Sequence, residues 1–293
     1  MSSKTSSFGT TSRSGHDSGR FYGRKLYADE RKKSGQSGVL PPPAAENVHP
    51  ELNIIYNEDS RNMSALPDGS VHLMITSPPY NVGKDYDDDL SLAEYRELLA
   101  GVMSETFRVL TDGGRACINI ANIGRSPYIP LHALVIEIAA ACGFLMRGEI
   151  IWDKGASAGS SCAWGSWQSA SNPTLRDVHE YILIFSRGRY ARHPVKENSI
   201  GRDAFLESTK SIWRFPAVSA KRVGHPAPFP VELPLRLIHL YSYVGDIILD
   251  PFMGSGSTAL ASLQTGRHYI GYEVDPAYIT LTRERIWADS PLF

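Results

Sequence analysis

Several classes of protein are ruled out by what this sequence lacks. Cysteine is scarce: Cys117, Cys142 and Cys162 are the only three in 293 residues, an odd number without metal-like spacing. They read as free thiols in a reducing, cytoplasmic setting, with no metal centre expected. The longest apolar run, Leu131 to Met146, is interrupted by His132 and Glu137. It is too short and too polar to span a membrane. The N-terminus has no apolar signal core. A surplus of either charge is missing too. Lys and Arg number 30 against 31 Asp and Glu, a formal net charge of −1, so no global basic field announces a nucleic acid partner.

What is present centres on Thr76-Ser77-Pro78-Pro79-Tyr80. The run Val71, Leu73, Met74 and Ile75 before it reads as a buried strand. Two prolines then end the strand, because neither can donate to a ladder. In an open α/β sheet the turn at a strand's carboxyl end is where ligands bind. This turn carries a small hydroxyl, carbonyls without their usual partners and an aromatic ring. Such a set suits a flat group bearing an amine.

Around it the chain alternates strand and helix, which predicts a largely parallel, doubly wound sheet. Ile54-Ile55-Tyr56 reads as a strand. A short helix-like segment capped by Asp59 or Ser60 follows, to Leu66. Leu92 to Leu110 has helical spacing, with Gly113-Gly114 as its stop. Arg115–Ile120 is a strand, Pro130–Cys142 a helix and Phe144–Trp152 a strand. His179–Phe185 reads as the single antiparallel strand, at the far end of the sheet. Val231–Tyr243 is a helix, and Pro276 opens the last one.

Four regions follow from composition. Residues 1–43 form a flexible basic arm and Pro linker; residues 1–37 hold eight Lys and Arg against three Asp and Glu. Residues 44–186 form one half of the main domain and 225–293 the other. Residues 187–224 are basic, fit neither a core helix nor a core strand, and are the candidate recognition insert, with Lys210, Arg214, Lys221 and Arg222. The loop 154–177 bears Trp164 and Trp167, and a loop that long is expected to be functional.

A second site lies at 247–273. It reads strand, Gly-rich turn, helix, strand, acidic residue. Gly254 and Gly256 allow a tight turn and close approach to a ligand. Glu273, 23 residues beyond Asp250, can accept hydrogen bonds from both ribose hydroxyls. No Lys follows Gly256, so this is not a triphosphate loop. Read alone, Gly254-x-Gly256-x-x-Ala259 also fits a dinucleotide-dependent oxidoreductase.

Ser77-Pro78-Pro79-Tyr80 together with Asp250-Pro251-Phe252-x-Gly254-x-Gly256-x-Thr258 resembles the S-adenosylmethionine-dependent DNA amino-methyltransferases. The first motif precedes the second by about 170 residues, an order that resembles the circularly permuted β group. His225-Pro226-Ala227-x-Phe229-Pro230 resembles that group's further cofactor-side motif. Ala163 to Phe185 is also similar to members with Ser-Pro-Pro-Tyr. The resemblance implies a Rossmann-like, permuted methyltransferase fold with a small DNA-recognition insert. It implies that Asp59 serves the cofactor's adenine side, Glu273 its ribose, and Pro251, Phe252, Ser255 and Thr258 with their neighbours its methionine end. His225 and Phe229 are implied as cofactor-side residues. Ser77 and Pro78 would hold the exocyclic amine, with Pro79 shaping the turn and Tyr80 stacked on a base flipped out of double-stranded DNA. Ser at the first motif position resembles enzymes that make N4-methylcytosine; the alternatives are N6-adenine methylation, or an RNA or protein amide substrate. No Pro-Cys occurs, which excludes the covalent route to the cytosine ring carbon. A cognate restriction endonuclease is an implied partner, and monomer and homodimer both remain open.

Overall fold

A computed structural model describes residues 24–27, 50–79, 90–124, 126–155, 165–218 and 229–289. The chain divides into two compact units, Met1–Pro42 and Pro43–Phe293. In the first, Lys25–Tyr27 form one 3₁₀ turn.

The second unit is an α/β sheet domain. Its elements run β1 (Ile54–Tyr56), β2 (Val71–Thr76), α1 (Leu92–Val109), β3 (Leu110–Ile120), β4 (Ile123–Gly124), β5 (Tyr128–Ile129), α2 (Leu131–Ala141), β6 (Leu145–Asp153) and β7 (His179–Ser186). There follow α3 (Arg202–Ser208), β8 (Ile212–Arg214), α4 (Glu232–Tyr241), β9 (Ile247–Asp250), α5 (Ser257–Gln264), β10 (His268–Tyr272) and α6 (Pro276–Asp289). Eight strands form one sheet in the order β1-β10-β9-β2-β3-β7-β6-β8. Among the described strands of this sheet only β7 runs against its neighbours; the sheet's other pairings are parallel. A small β4–β5 hairpin stands apart.

The period of two along each strand sorts side chains to two faces. Met74, Ala116, Ile118, Leu183 and Phe185 pack with α1 and α2 residues such as Leu99, Val102 and Val135. Leu73, Ile75, Cys117, Ile182 and Ile184 pack with Leu233, Leu237 and Ile238 of α4 and Ala261 of α5. Both faces are therefore covered by helices, as a parallel sheet needs. Each large apolar side chain buried this way contributes about 1.5–3 kcal/mol. Ser91 starts α1 with a reciprocal cap: its hydroxyl accepts from the Glu94 N–H at 3.3 Å while its own N–H donates to the Glu94 carboxylate at 2.8 Å.

Four expectations change. Residues 57–66 are turns, not a helix. Asp59 accepts the Arg61 N–H at 2.8 Å, and this local turn competes with helix formation. Gly113 does not stop α1, which ends at Val109. It lies within β3 with φ +76°, where a Cβ would stand 2.5 Å from the Ala191 carbonyl oxygen. The antiparallel strand β7 is not at the far end of the sheet, because β6 and β8 lie beyond it. Finally, part of the basic segment is core: β8 pairs with β6, and Trp213 is buried with its indole N–H on the Ser208 carbonyl at 3.1 Å. A three-residue strand is too short to show a period.

Candidate active site

Parallel pairing brings the carboxyl ends of β1, β10, β9, β2, β3 and β6 to one edge of the sheet. β2 and β9 are neighbours there, with Leu73 opposite Ile248 and Met74 opposite Leu249. Beyond that register the two motifs join directly. The Thr76 hydroxyl donates to Asp250 at 2.7 Å, and the Thr258 hydroxyl donates to its other oxygen at 2.7 Å. The Phe252 N–H adds a third bond at 3.1 Å. Burial pushes the Asp250 carboxyl up to about 7; the three donors and the charge of Glu273 adjust that upward pull. Asp250 is thus the rivet between the two turns.

The Ser-Pro-Pro turn is held rigidly. Pro78 is buried, and Tyr95 of α1 donates its hydroxyl to the Pro79 carbonyl at 2.7 Å. Among the described residues no hydrogen bond reaches the Pro78 carbonyl. Beside the turn, Asn119 follows Ile118, the partner of Thr76. The Asn119 amide and the Lys154 ammonium both donate to Glu180, at 2.6 and 2.9 Å. A neutralised polar row therefore borders the turn.

The Gly-rich turn is braced from two sides. Its Gly254 N–H donates to Glu273 at 2.8 Å, and the Asp275 N–H donates to the other Glu273 oxygen at 3.0 Å. Burial pushes the Glu273 carboxyl upward, with these N–H groups opposing. From α6, Thr282 donates its hydroxyl to the Gly254 carbonyl at 2.8 Å, and Arg285 donates to the Ser255 carbonyl. Gly256 has φ +80°, and a Cβ there would lie 2.3 Å from Thr282 Cγ2. The close fit of loop to helix therefore demands glycine. Phe229 is drawn in by Ser257, whose hydroxyl donates to the Phe229 carbonyl at 2.9 Å.

A nucleoside with a charged tail fits this donor set. Glu273 keeps lone pairs beyond the two N–H bonds it accepts. The N–H groups of Ser257, Thr258 and Ala259 open α5 without helical acceptors, and such a terminus suits a carboxylate. Asp59 stands on the same edge after β1. Its carboxylate, however, is taken by Arg61 at 2.8 and 2.5 Å, which holds it below the usual range. Asn57 anchors the next turn, donating to the carbonyls of Glu273 and Val274 at 2.9 and 3.0 Å.

Among the suggested DNA-contacting residues, Trp167 is 74% exposed, in the loop that leaves β6 and enters β7 at this same edge. Arg214 ends β8 there, 3.2 Å from Asp153. Lys210 precedes β8 at the opposite end and pairs with Glu207. Tyr80, Trp164, Lys221, Arg222 and His225 lie outside the described residues. Sequence reasoning included Thr76 in the first motif without foreseeing its bond to Asp250. It missed Tyr95, Thr282 and Arg285, which touch the motifs from neighbouring elements and carried no signal.

The family model described as DNA methylase, of the N6/N4 methyltransferase type, matches residues 71–284. The chain belongs to this DNA methylase family. Among its relatives, this DNA methylase is 29% identical over 270 residues to the type II methyltransferase M.MjaI of Methanocaldococcus jannaschii, covering 78% of the chain and 89% of that protein. It is 31% identical to M.MthZI of Methanothermobacter thermautotrophicus, covering 79% and 76%. A Thermus thermophilus protein assigned as a DNA modification methylase is 30% identical, with a TM-score of 0.66 over 84% of this chain and 97% of that one. The same Thermus protein has been solved complexed with S-adenosyl-L-methionine. The likeness makes the sheet a Rossmann-like methyltransferase fold and removes the oxidoreductase reading. No helix among the described residues of this DNA methylase is long and apolar enough to cross a membrane.

Proposed function

We propose that this DNA methylase transfers a methyl group from S-adenosylmethionine to the N4 amine of a cytosine flipped out of double-stranded DNA. The observation that carries the reading is the Thr76–Asp250 bond at 2.7 Å. It ties the amine-accepting turn to the nucleoside-binding turn. When bound, S-adenosylmethionine supplies an electrophilic methyl group on a sulfonium sulfur.

The chain's own part is to hold and orient. An exocyclic amine is a poor nucleophile because its lone pair is delocalised into the base. Ser77 Oγ and the Pro78 carbonyl accept its two N–H bonds and turn the lone pair outward. Tyr80 stacks on the base face. Glu273 receives the ribose hydroxyls, Asp59 the adenine side, and the 250–258 turn with Phe229 and His225 the rest of the donor. Fixing the reactants in line is where much of the rate arises. Trp164 and Trp167 of the 154–177 loop, with Arg214, Lys221 and Arg222 of a target-recognition region at 187–224, face the DNA. Because its relatives are type II methyltransferases, a cognate restriction endonuclease is the proposed partner.

Ser77 favours cytosine: a neutral hydroxyl in place of a carboxylate resembles the N4 enzymes. The test is transfer of labelled methyl to bacterial DNA, followed by nucleoside analysis. N4-methylcytosine is expected, and N6-methyladenine overturns the base assignment. Ser77→Ala should slow transfer by about tenfold to a hundredfold, the worth of one buried hydrogen bond. Tyr80→Ala should slow it at least as much. Unchanged rates in both variants would remove the turn from the mechanism.

A further inference from the structure

A cavity of about 390 Å³ lies on the opposite edge of the sheet. It is bounded by the start of β3 at Gly113 and Arg115, the end of α4 from His239 to Tyr243, and the segment between Arg192 and Leu206. None of these residues holds the methyl donor or the amine in the proposed reaction, although Arg192 to Leu206 fall within its recognition region.

Cations gather at this edge beyond what its carboxylates neutralise. Arg115 donates to the carbonyls of Gly113 and Tyr190, and Arg147 lies over the Tyr190 ring at 4.4 Å. Arg202 is exposed at the first turn of α3. Buried Arg267 donates to Ser242 and Ser199 at 3.1 and 2.6 Å. Among the described residues none of these four arginines makes an ion pair. Arg192 and Lys196 share one carboxylate, Asp246, at 2.5 and 3.7 Å. His239 Nδ1, in the wall, is buried without a partner. Burial and the Arg147 charge both lower the Arg115 pKa, the direction that a bound anion would reverse.

The end of α4 works against an anion, but its dipole amounts to only about half a charge. Two arginines without carboxylates, Arg115 and Arg202, outweigh it. The mouth is also apolar: Phe205 and Leu206 are 48% and 53% exposed there. Tyr243 lies beside them, under the Arg192 guanidinium at 4.9 Å. Arginine is the side chain best matched to phosphate oxygens, through its fork of donors.

We propose that this cavity binds a phosphate ester of nucleotide size. Its phosphate meets Arg115 and Arg202, and its flat or apolar part meets Phe205 and Tyr243. The volume falls in the range of small-ligand pockets. The ester has two sources, a free nucleotide or the backbone of a DNA segment.

Titration calorimetry on the whole chain separates them, with S-adenosylmethionine present to occupy the other site. The probes are inorganic phosphate, a nucleoside monophosphate and a short non-target duplex. The nucleoside monophosphate should bind more tightly than phosphate. Arg115→Gln and Arg202→Glu should each weaken it by about tenfold or more, with donor affinity unchanged. Arg202 is exposed, so its variant keeps the fold if the Arg115 variant does not. If only duplex binding responds to Arg202→Glu, the phosphate is that of DNA. If none of the three probes loses affinity in either variant, the proposal fails.

Discussion

Two aspartates, at either end of β9, have opposite surroundings. Asp246 enters the strand fully buried and is met by Arg192 at 2.5 and 2.7 Å and by the Tyr243 N–H at 2.6 Å. Burial would raise its pKa, but the cations and the N–H win and hold it below the usual range. Asp250 leaves the strand equally buried and finds two hydroxyls, one N–H and no cation. There burial wins, and the group sits near 7. The amino edge thus meets its buried Asp246 with the charges of Arg192 and Lys196. The carboxyl edge instead holds Asp250 and Glu273 with neutral donors, and Glu273 keeps lone pairs for a ligand.

If that contrast is right, damage at the two edges should differ in kind. The largest effect is expected at Gly256. Gly256→Ala places a methyl 2.3 Å from Thr282 Cγ2, on a backbone with φ +80°. The left-handed backbone alone costs about 1–2 kcal/mol for a residue with a Cβ. Donor binding, read by calorimetry, should weaken by more than about a hundredfold, the sum of strain and a displaced turn. Adding Thr282→Ser removes the nearest atom and should recover part of the loss. Donor affinity unchanged in Gly256→Ala would show that the turn is not a binding surface.

Next in size is a comparison of the aspartates themselves. Asp246→Asn leaves Arg192 and Lys196 without their carboxylate and should cost about 3 kcal/mol of stability, the scale of a broken buried pair. Turnover per folded molecule should not change. The pH dependences should have opposite signs. The lowered Asp246 stabilises above its unfolded value of 3.8 and loses that contribution as pH falls. The raised Asp250 does the reverse: its contribution is whole below 3.8 and is lost as pH rises towards about 7, because the unfolded chain then holds fewer protons. Denaturant midpoints between pH 4 and 7 should therefore fall less steeply in Asp250→Asn than in the parent. Equal slopes would mean that Asp250 is not desolvated.

Much of this contrast is legible in the order of residues alone. The strand tips at Ser77, Asp250 and Glu273 announce themselves, because prolines, glycines and an acid at a strand end each have a backbone reason to be there. The order of the two motifs places both turns on one sheet. What stays hidden is what crosses between elements. Thr282 and Arg285 look like ordinary residues of the last helix, yet they brace the glycine turn. Arg187, Arg189 and Arg192 help make the 187–224 segment read as a basic recognition insert. In fact Arg187 is buried on the Leu110 carbonyl, Arg189 pairs with Asp112 at 2.7 Å and Arg192 pairs with Asp246. Composition counts charges, but only topology says which edge they occupy.

The smallest expected effect separates two cations at either end of β8. Arg214 ends β8 at the carboxyl edge, with its side chain 76% exposed against Asp153. Lys210 lies two residues before β8, at the other edge, in a surface pair with Glu207. Parallel pairing of β8 with β6 fixes this separation, since Asp153 stands opposite Arg214. A cation that meets a phosphate adds about one unit to the salt dependence of binding. Arg214→Ala should therefore weaken duplex binding by a few fold and lower the slope of log affinity against log salt by about one. Lys210→Ala should change neither by more than about twofold, because exposed pairs are worth at most about 1 kcal/mol and its ammonium is already held by Glu207. Matched losses in the two variants would place DNA across both edges and erase the division of labour between them. A loss confined to Arg214 would align the DNA-facing side chains with the turn that carries Ser77, on the one edge where the donor and the flipped base can meet.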